Sequence, residues 1–205
     1  MVFKLWFDEI ILPSCTPLLE GCAVAMGPSA ELAGIEAAEA FICPGNVIYN
    51  GERMDKAPNL KVVARLGVGY DNIDVQAATA RNIIVVYAPQ APTVSTAEHA
   101  VTLMMATAKR LNEAEKALRA HDWRGYLRRD NKGMELDGRT LGLVGMGRIG
   151  SRVAKVGQAL GMNVIVFDPF VTPARAAELG VALTPSLESL LNQADVVSLH
   201  LPSTP

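Results

Sequence analysis

The sequence predicts an α/β protein built on parallel sheets, arranged as two successive α/β units. Three observations carry that reading. Short β-rich runs alternate with helical stretches along most of the chain, the pattern that parallel strands with crossover helices require. The texture changes near residue 95, where the proline-bearing segment Tyr87–His99 leads into a long helical stretch. Beyond it, Gly145-Met146-Gly147-Arg148-Ile149-Gly150 stands between a predicted strand and a predicted helix.

In the first unit, strands are expected at Phe3–Phe7, Cys22–Met26, Ala40–Cys43, Lys61–Arg65 and Ile83–Val86, with helix-like stretches at Ala30–Ala40 and Val75–Arg81. Ser95 and Glu98 form a capping box, in which each side chain meets a free backbone N–H at a helix start. A long helix is expected from there to about Ala120. Ala100, Met104, Ala108, Leu111, Ala114 and Leu118 recur every three or four residues and define a buried face. Lys109, Arg110, Glu113, Glu115, Lys116 and Arg119 occupy the other face, and a helix of this length between two α/β units reads as an interdomain connector. The polar segment 121–138 follows, with Trp123 as an expected anchor. The second unit places four strands at Thr140–Val144, Asn163–Phe167, 181–183 and 195–201. Its helices fall at Arg148–Leu160, with Ile149, Val153, Val156 and Leu160 on one face, and at 172–179 and 186–194.

Composition narrows the function. Half of the residues are hydrophobic and 20% are charged, the profile of a soluble globular protein. A net charge of −2 leaves no basic footprint for nucleic acid or an anionic membrane. No apolar run approaches the roughly 20 residues of a membrane span. The N-terminal stretch has acidic residues where a signal peptide needs its apolar core, so a cytoplasmic location is expected. Cys15, Cys22 and Cys43 are odd in number and contain no CxxC pair, so neither a disulfide framework nor a metal site is expected.

The glycine loop carries the chemistry. Gly145 permits a tight turn, Gly147 lets backbone approach a pyrophosphate, and Gly150 allows close packing of helix on strand. The helix N-terminus offers unpaired N–H groups and a partial positive charge to phosphates. Asp168 lies 23 residues after Gly145, at the end of the next strand. A carboxylate there accepts hydrogen bonds from both ribose hydroxyls of an adenosine and repels a 2′-phosphate, which favours NAD over NADP. On these residues alone, a flavin or S-adenosylmethionine fits the same loop.

The stretches "ARLGVGYDNIDVQAATARNIIVVYAP", "STAEHAVTLMMATAKR", "GMELDGRTLGLVGMGRIG" and "ADVVSLHLPSTP", in this order, resemble the D-isomer-specific 2-hydroxyacid dehydrogenases, which include phosphoglycerate dehydrogenase and the glyoxylate/hydroxypyruvate reductases. The resemblance runs from about residue 40 to the end. It implies a flavodoxin-like substrate-binding domain over residues 1–95 and a Rossmann NAD-binding domain over 96–205, incomplete at four strands of the usual six. It also implies NAD as cofactor, a small 2-keto or 2-hydroxy acid as substrate, and a homodimer at full length. In the loop of Arg65, Gly67, Val68 and Gly69, backbone N–H groups receive the substrate carboxylate. The physical logic is that Gly67 and Gly69 leave successive amides uncovered, an anion nest, while Asp71, Asn72 and Asp74 serve the turn and the next helix cap. Thr96 matches a position near the nicotinamide, although capping a helix explains it equally. Arg148 and Ile149 match positions whose backbone meets the pyrophosphate. His200, Leu201 and Pro202 match the segment beside the adenine, with His200 expected to pack rather than react. Arg128, Arg129 and Lys132 form a small basic cluster, read as a solvated loop.

The family reduces a 2-keto acid by hydride transfer, with an Arg holding the acid, a His as general acid and a Glu setting its pKa. In the family these three follow the motif at which this chain stops, and His99, His121 and His200 are the histidines present. No catalytic residue is therefore assigned, and the chain is expected to be the N-terminal part of a longer enzyme, inactive alone. Two other readings are an NAD-sensing, corepressor-like scaffold and a methyltransferase with a nucleoside cofactor. Phosphoglycerate enzymes commonly place an Arg after the strand matching Ala40–Cys43. Here Pro44 and Gly45 follow with no cation through Asn50, which leans toward unphosphorylated acids, whereas "MELDGRTLG" is close to phosphoglycerate dehydrogenases.

Overall fold

Apolar runs bounded by turn residues become buried parallel strands in both halves of the chain. The computed structural model describes residues 2–11, 13–28, 31–124 and 132–202; Ala30, Arg128 and Arg129 lie outside the described residues. The chain divides into two units, Met1–Pro92 and Thr93–Pro205.

The first unit holds β1 (Phe3–Phe7), β2 (Ala23–Met26), β3 (Ala40–Cys43), β4 (Val62–Arg65) and β5 (Ile84–Tyr87) in one parallel sheet of order β2-β1-β3-β4-β5. Central β3 is apolar on both faces because both are covered, as parallel sheets demand. Trp6, Phe41, Tyr49, Met54 and Val63 are fully buried around it. Helix α1 (Gly51–Asp55) starts where the Asn50 side chain accepts from the Arg53 N–H at 3.0 Å, and α2 (Val75–Ala80) where Asp74 accepts from the Ala77 N–H at 2.8 Å. The stretch expected as a helix over Ala30–Ala40 is not one. Leu32 and Gly34 are left-handed, with φ of 57° and 94°, which interrupts the helical ladder, so only a 3₁₀ turn, Ile35–Ala37, forms before Ala38 extends into β3.

The second unit holds β6 (Thr140–Val144), β7 (Asn163–Phe167), β8 (Ala182–Leu183) and β9 (Val196–Leu199), in parallel order β8-β7-β6-β9. Its helices are α3 (Thr93–Ala108), α4 (Leu111–Arg119), α5 (Arg148–Ala159), α6 (Pro173–Glu178) and α7 (Leu187–Gln193). The period-2 alternation of β6 sorts the layers. Leu141 and Leu143 join Val153, Ala154, Ala97 and Met104 in one cluster, whereas Val144 joins Leu190 in another. Gly142 has no side chain for a reason: a Cβ there would stand 2.7 Å from Leu190 Cδ2 and 2.8 Å from Ala194 Cβ, so α7 packs directly on strand backbone.

Four helical expectations need correction. Helix α3 begins at Thr93, directly after Pro92, so Ser95 and Glu98 lie inside its first turns rather than forming the start. The long helix is broken at Lys109–Arg110, with Arg110 left-handed at φ 51°. The break has a tertiary cause. The Met134 N–H donates to the Ala108 carbonyl at 2.7 Å and Lys109 Nζ to the Met134 carbonyl at 3.0 Å, so a returning strand of chain takes the acceptor that helix continuation needs. No residue of α4 is buried, and Leu111 and Leu118 are 57% and 52% exposed, so the expected apolar face is uncovered there. Trp123 is 68% exposed, and on α5 the buried positions are Gly150, Val153, Ala154 and Gly157 rather than Val156. Among the described residues no helix is long and apolar enough to cross a membrane, and no cluster of metal-ligating side chains is found.

These layers make a direct prediction. Leu141→Ala, at a fully buried position, should cost about 2–5 kcal/mol in urea unfolding, while Leu111→Ala should cost under about 0.5 kcal/mol. Similar losses at both positions would show that the apolar face of α4 is covered after all.

Candidate functional site

In the second unit the site is built where three parallel strands end side by side. β6 stops at Val144, and the chain turns through Gly145 into α5. Gly145 has φ 95°, and a Cβ there would stand 2.4 Å from the His200 carbonyl oxygen, so no other residue fits. A Cβ on Gly150 would stand 2.3 Å from the Gly145 carbonyl oxygen, which sets the first turn of α5 directly on the loop. Gly147, the N-cap of α5, differs: nothing lies within 4 Å of where its Cβ would be, and no side chain caps the helix. The loop is thus packed from beneath at Gly145 and Gly150 and open above Gly147. Arg148 is exposed and Ile149 half-buried against the core.

Asp168 follows β7. Its Oδ2 accepts from the Met146 N–H at 2.8 Å and its Oδ1 from the Phe170 N–H at 2.9 Å. Each oxygen keeps a further lone pair for a ligand hydroxyl. The Ser151 hydroxyl donates to the Gly147 carbonyl at 2.8 Å, tying down the other side of the loop. His200, just past β9, donates its backbone N–H to the Val144 carbonyl at 2.8 Å, and its ring Nε2 meets Ser198 Oγ at 2.9 Å. Burial, which disfavours the charged form, lowers the His200 pKa. Leu201 lies against Gly145 through its backbone, and Leu201 and Pro202 are exposed. Thr96, exposed on the first turn of α3, lines a cavity of about 750 Å³ together with His99, Ser198 and His200. The unit therefore gathers Gly145, Gly147, Gly150, Asp168, His200 and Leu201 around one loop.

In the first unit, the loop after β4 is shaped by Arg65. Its Nε donates to the Gly69 carbonyl at 2.7 Å, and its guanidinium also bonds the Leu66 carbonyl and, at 3.5 Å, the Cys43 carbonyl. Gly67, at φ 144°, is already engaged: its N–H donates to the Arg65 carbonyl at 3.0 Å and its own carbonyl accepts from Ala88 at 2.9 Å. Among the described residues no acceptor meets the N–H of Val68 or Gly69. These two successive amides, at the positions expected to meet a carboxylate, are thus without an acceptor in the fold. The guanidinium also stands beside the loop after β3, with Nη2 3.1 Å from where a Gly45 Cβ would be. The loop has no cation of its own in sequence, and the guanidinium beside it belongs to neighbouring β4, where Arg65 pairs with Cys43. Asn72 holds the same loop by donating to the Pro44 and Val47 carbonyls at 3.0 and 2.7 Å.

Comparison with known proteins places this geometry. The model of the D-isomer specific 2-hydroxyacid dehydrogenase NAD binding domain matches residues 101–205. The D-3-phosphoglycerate dehydrogenase of Mycobacterium leprae is 47% identical over 174 residues, covering 85% of this chain and 32% of that protein. That of Archaeoglobus fulgidus is 43% identical over 166 residues, covering 81% and 31%. A crystal structure of a Thermus thermophilus protein matches at TM-score 0.85 and 36% identity, over 99% of this chain and 66% of that one. D-Lactate dehydrogenase from Aquifex aeolicus, complexed with NAD and lactic acid, matches at TM-score 0.79 and 29% identity, over 98% and 61%. The chain spans about a third of the length of these curated relatives.

The His200 environment predicts a pH dependence. Its folded-state pKa lies below the unfolded value of about 6.5, so the unfolded chain binds the proton more readily. Stability from this group is complete above about pH 6.5 and declines as pH falls through that value toward the folded-state pKa. His200→Gln should flatten the fall in urea midpoint between about pH 7.5 and 5.5; an identical fall in both proteins would exclude His200 as its source.

Proposed function

Because the chain belongs to the D-isomer specific 2-hydroxyacid dehydrogenase family, we propose that it serves an NAD-dependent oxidoreductase acting on the CH–OH group of a D-2-hydroxy acid, or in reverse on a 2-keto acid. The observation that carries this reading is the open volume above Gly147, at a glycine loop whose amides and strand-end carboxylate are already in place. Residues 96–205 act as the NAD-binding domain and residues 1–95 as the substrate-binding domain. The backbone at Gly147, Arg148 and Ile149 meets the pyrophosphate, where the α5 N-terminus favours negative charge. The remaining lone pairs of Asp168 take the adenosine ribose hydroxyls, and its charge disfavours a 2′-phosphate. His200, Leu201 and Pro202 border the adenine, and Thr96 attends the nicotinamide end. The nicotinamide, when bound, supplies or accepts the hydride.

The substrate carboxylate is received by the amides of Val68 and Gly69, with Arg65 and Gly67 setting the loop's shape. The lean toward unphosphorylated acids requires that no cation stand near the loop after β3. Arg65 brings its guanidinium beside Gly45, and the Mycobacterium leprae relative is by name a D-3-phosphoglycerate dehydrogenase. D-3-Phosphoglycerate therefore belongs with D-lactate among the acids to be tried. No general acid is assigned: among the described residues no histidine is hydrogen-bonded to a carboxylate. A cytoplasmic location and a homodimer are part of the same reading.

The test is a titration of the 205-residue chain with NADH, NADPH and S-adenosylmethionine. NADH should bind ahead of the other two, and preferential binding of S-adenosylmethionine would overturn the proposal. Gly147→Val should weaken NADH by on the order of tenfold or more through a clash in the cradle, while costing only about 1 kcal/mol of stability as a poorer helix N-cap, because no protein atom surrounds that position. Gly150→Ala should instead lose stability, since its Cβ meets backbone.

A further inference from the structure

We propose that Asp168 is a positioning residue for the glycine loop, holding the cradle in its nucleotide-ready shape before any nucleotide arrives. This rests on the reading of the second unit as an NAD cradle and adds a role to the ribose contact.

Strand register sets the geometry. β6 and β7 pair in parallel with Val144 opposite Phe167, so the residues that follow each strand come out side by side. The Gly145 N–H donates to the Phe167 carbonyl at 3.0 Å, one residue before Asp168. The Asp168 carboxylate then bridges two turns, taking the Met146 N–H of the turn leaving β6 and the Phe170 N–H of the turn leaving β7. Hydrogen bonds to an ionised acceptor are roughly twice as strong as neutral ones. Met146 is buried, so its amide has little access to water if the carboxylate is removed. On the opposite side Ser151 ties the Gly147 carbonyl. Nothing packs over Gly147 itself. The open part of the cradle therefore has its shape fixed from its flanks, by a carboxylate on the amide side and a hydroxyl on the carbonyl side.

Cofactor choice and cradle shape are thereby joined in one side chain. A substitution that removes the charge to admit a 2′-phosphate also releases the Met146 amide. Asp168→Ser should lose NADH affinity without a matching gain for NADPH.

The experiment is amide hydrogen exchange on the 205-residue chain without nucleotide, for the wild type, Asp168→Ala and Asp168→Asn, alongside calorimetric titration with NADH and NADPH. Exchange at Met146 should quicken on the order of tenfold or more in Asp168→Ala, with β6 and β7 unchanged. Asp168→Asn should fall between, since its one carbonyl oxygen retains one of the two N–H partners. Weaker NADH binding with Met146 exchange equal to wild type would overturn the proposal, leaving a ribose contact only. Exchange rising equally through β6 and β7 would also overturn it, since the effect would then be global. A wild type that fails to bind NADH would instead refute the cradle reading, while the exchange comparison still decides what Asp168 holds.

Discussion

Everything at the C-terminal edge of the second sheet depends on one close approach of backbone to backbone. The His200 carbonyl sits over Gly145, and the Gly145 carbonyl sits under Gly150, each at a separation that a Cβ would forbid. This double contact draws the ends of β6 and β9 and the start of α5 to within van der Waals distance. A side chain at either glycine would push helix from sheet, and the N-terminus of α5 would no longer stand over the strand ends. The helix-terminal field falls off within one turn, so the few ångströms gained here decide whether the terminus acts on a ligand at all. The parallel direction of the strands places all the turns at one edge, where crevices of this architecture form.

The two units solve the same problem with opposite polarity. A glycine-rich turn at a strand end is intrinsically loose, since glycine has the most conformational entropy to lose. In the second unit a carboxylate, Asp168, gathers backbone amides. In the first, a guanidinium, Arg65, gathers backbone carbonyls of Leu66, Gly69 and Cys43. The Val68 amide shares its peptide plane with the Gly67 carbonyl, which accepts from the Ala88 N–H. Charged side chains that a sequence reading assigns to ligands here meet backbone first.

What was legible in the sequence follows from where the information sits. Strands β6 and β7 are continuous apolar runs between turn residues, so the pattern alone marks them. The juxtaposition of Gly145 with Asp168 is legible too, because parallel pairing of adjacent strands carries the two ends to one place. The break after Ala108 is not legible, since it is made by an amide 26 residues downstream, that of Met134. Leu111 and Leu118 keep the periodicity of a buried face yet remain exposed, because periodicity reports amphipathy and not the presence of a partner surface. Arg65 looks like a free cation in sequence, and only the neighbouring-strand register shows it beside Gly45 and Cys43.

At the C-terminal edge of the first sheet, the strongly polar side chains are held by partners within the fold. Cys43 ends β3 there, where a thiol invites reading as a nucleophile, but burial pushes its pKa up to about 12, so it stays inert at neutral pH. At the end of β1, Asp8 is bonded to the Arg53 guanidinium and the Tyr49 hydroxyl and takes the Trp6 indole N–H at 2.9 Å. Burial and the Asp8 hydrogen bond raise the Tyr49 pKa, which keeps its proton in place as a donor. Every strong group in this cluster already has a partner inside the fold, apart from Arg53 Nε. A buried ion pair of this kind contributes little net stability against an apolar substitute, but losing one member leaves an uncompensated charge. Its effect is to fix the tip of β1 against α1 and the loop that carries Tyr49. Among the described residues, the amides of Val68 and Gly69 at this edge have no acceptor within the fold.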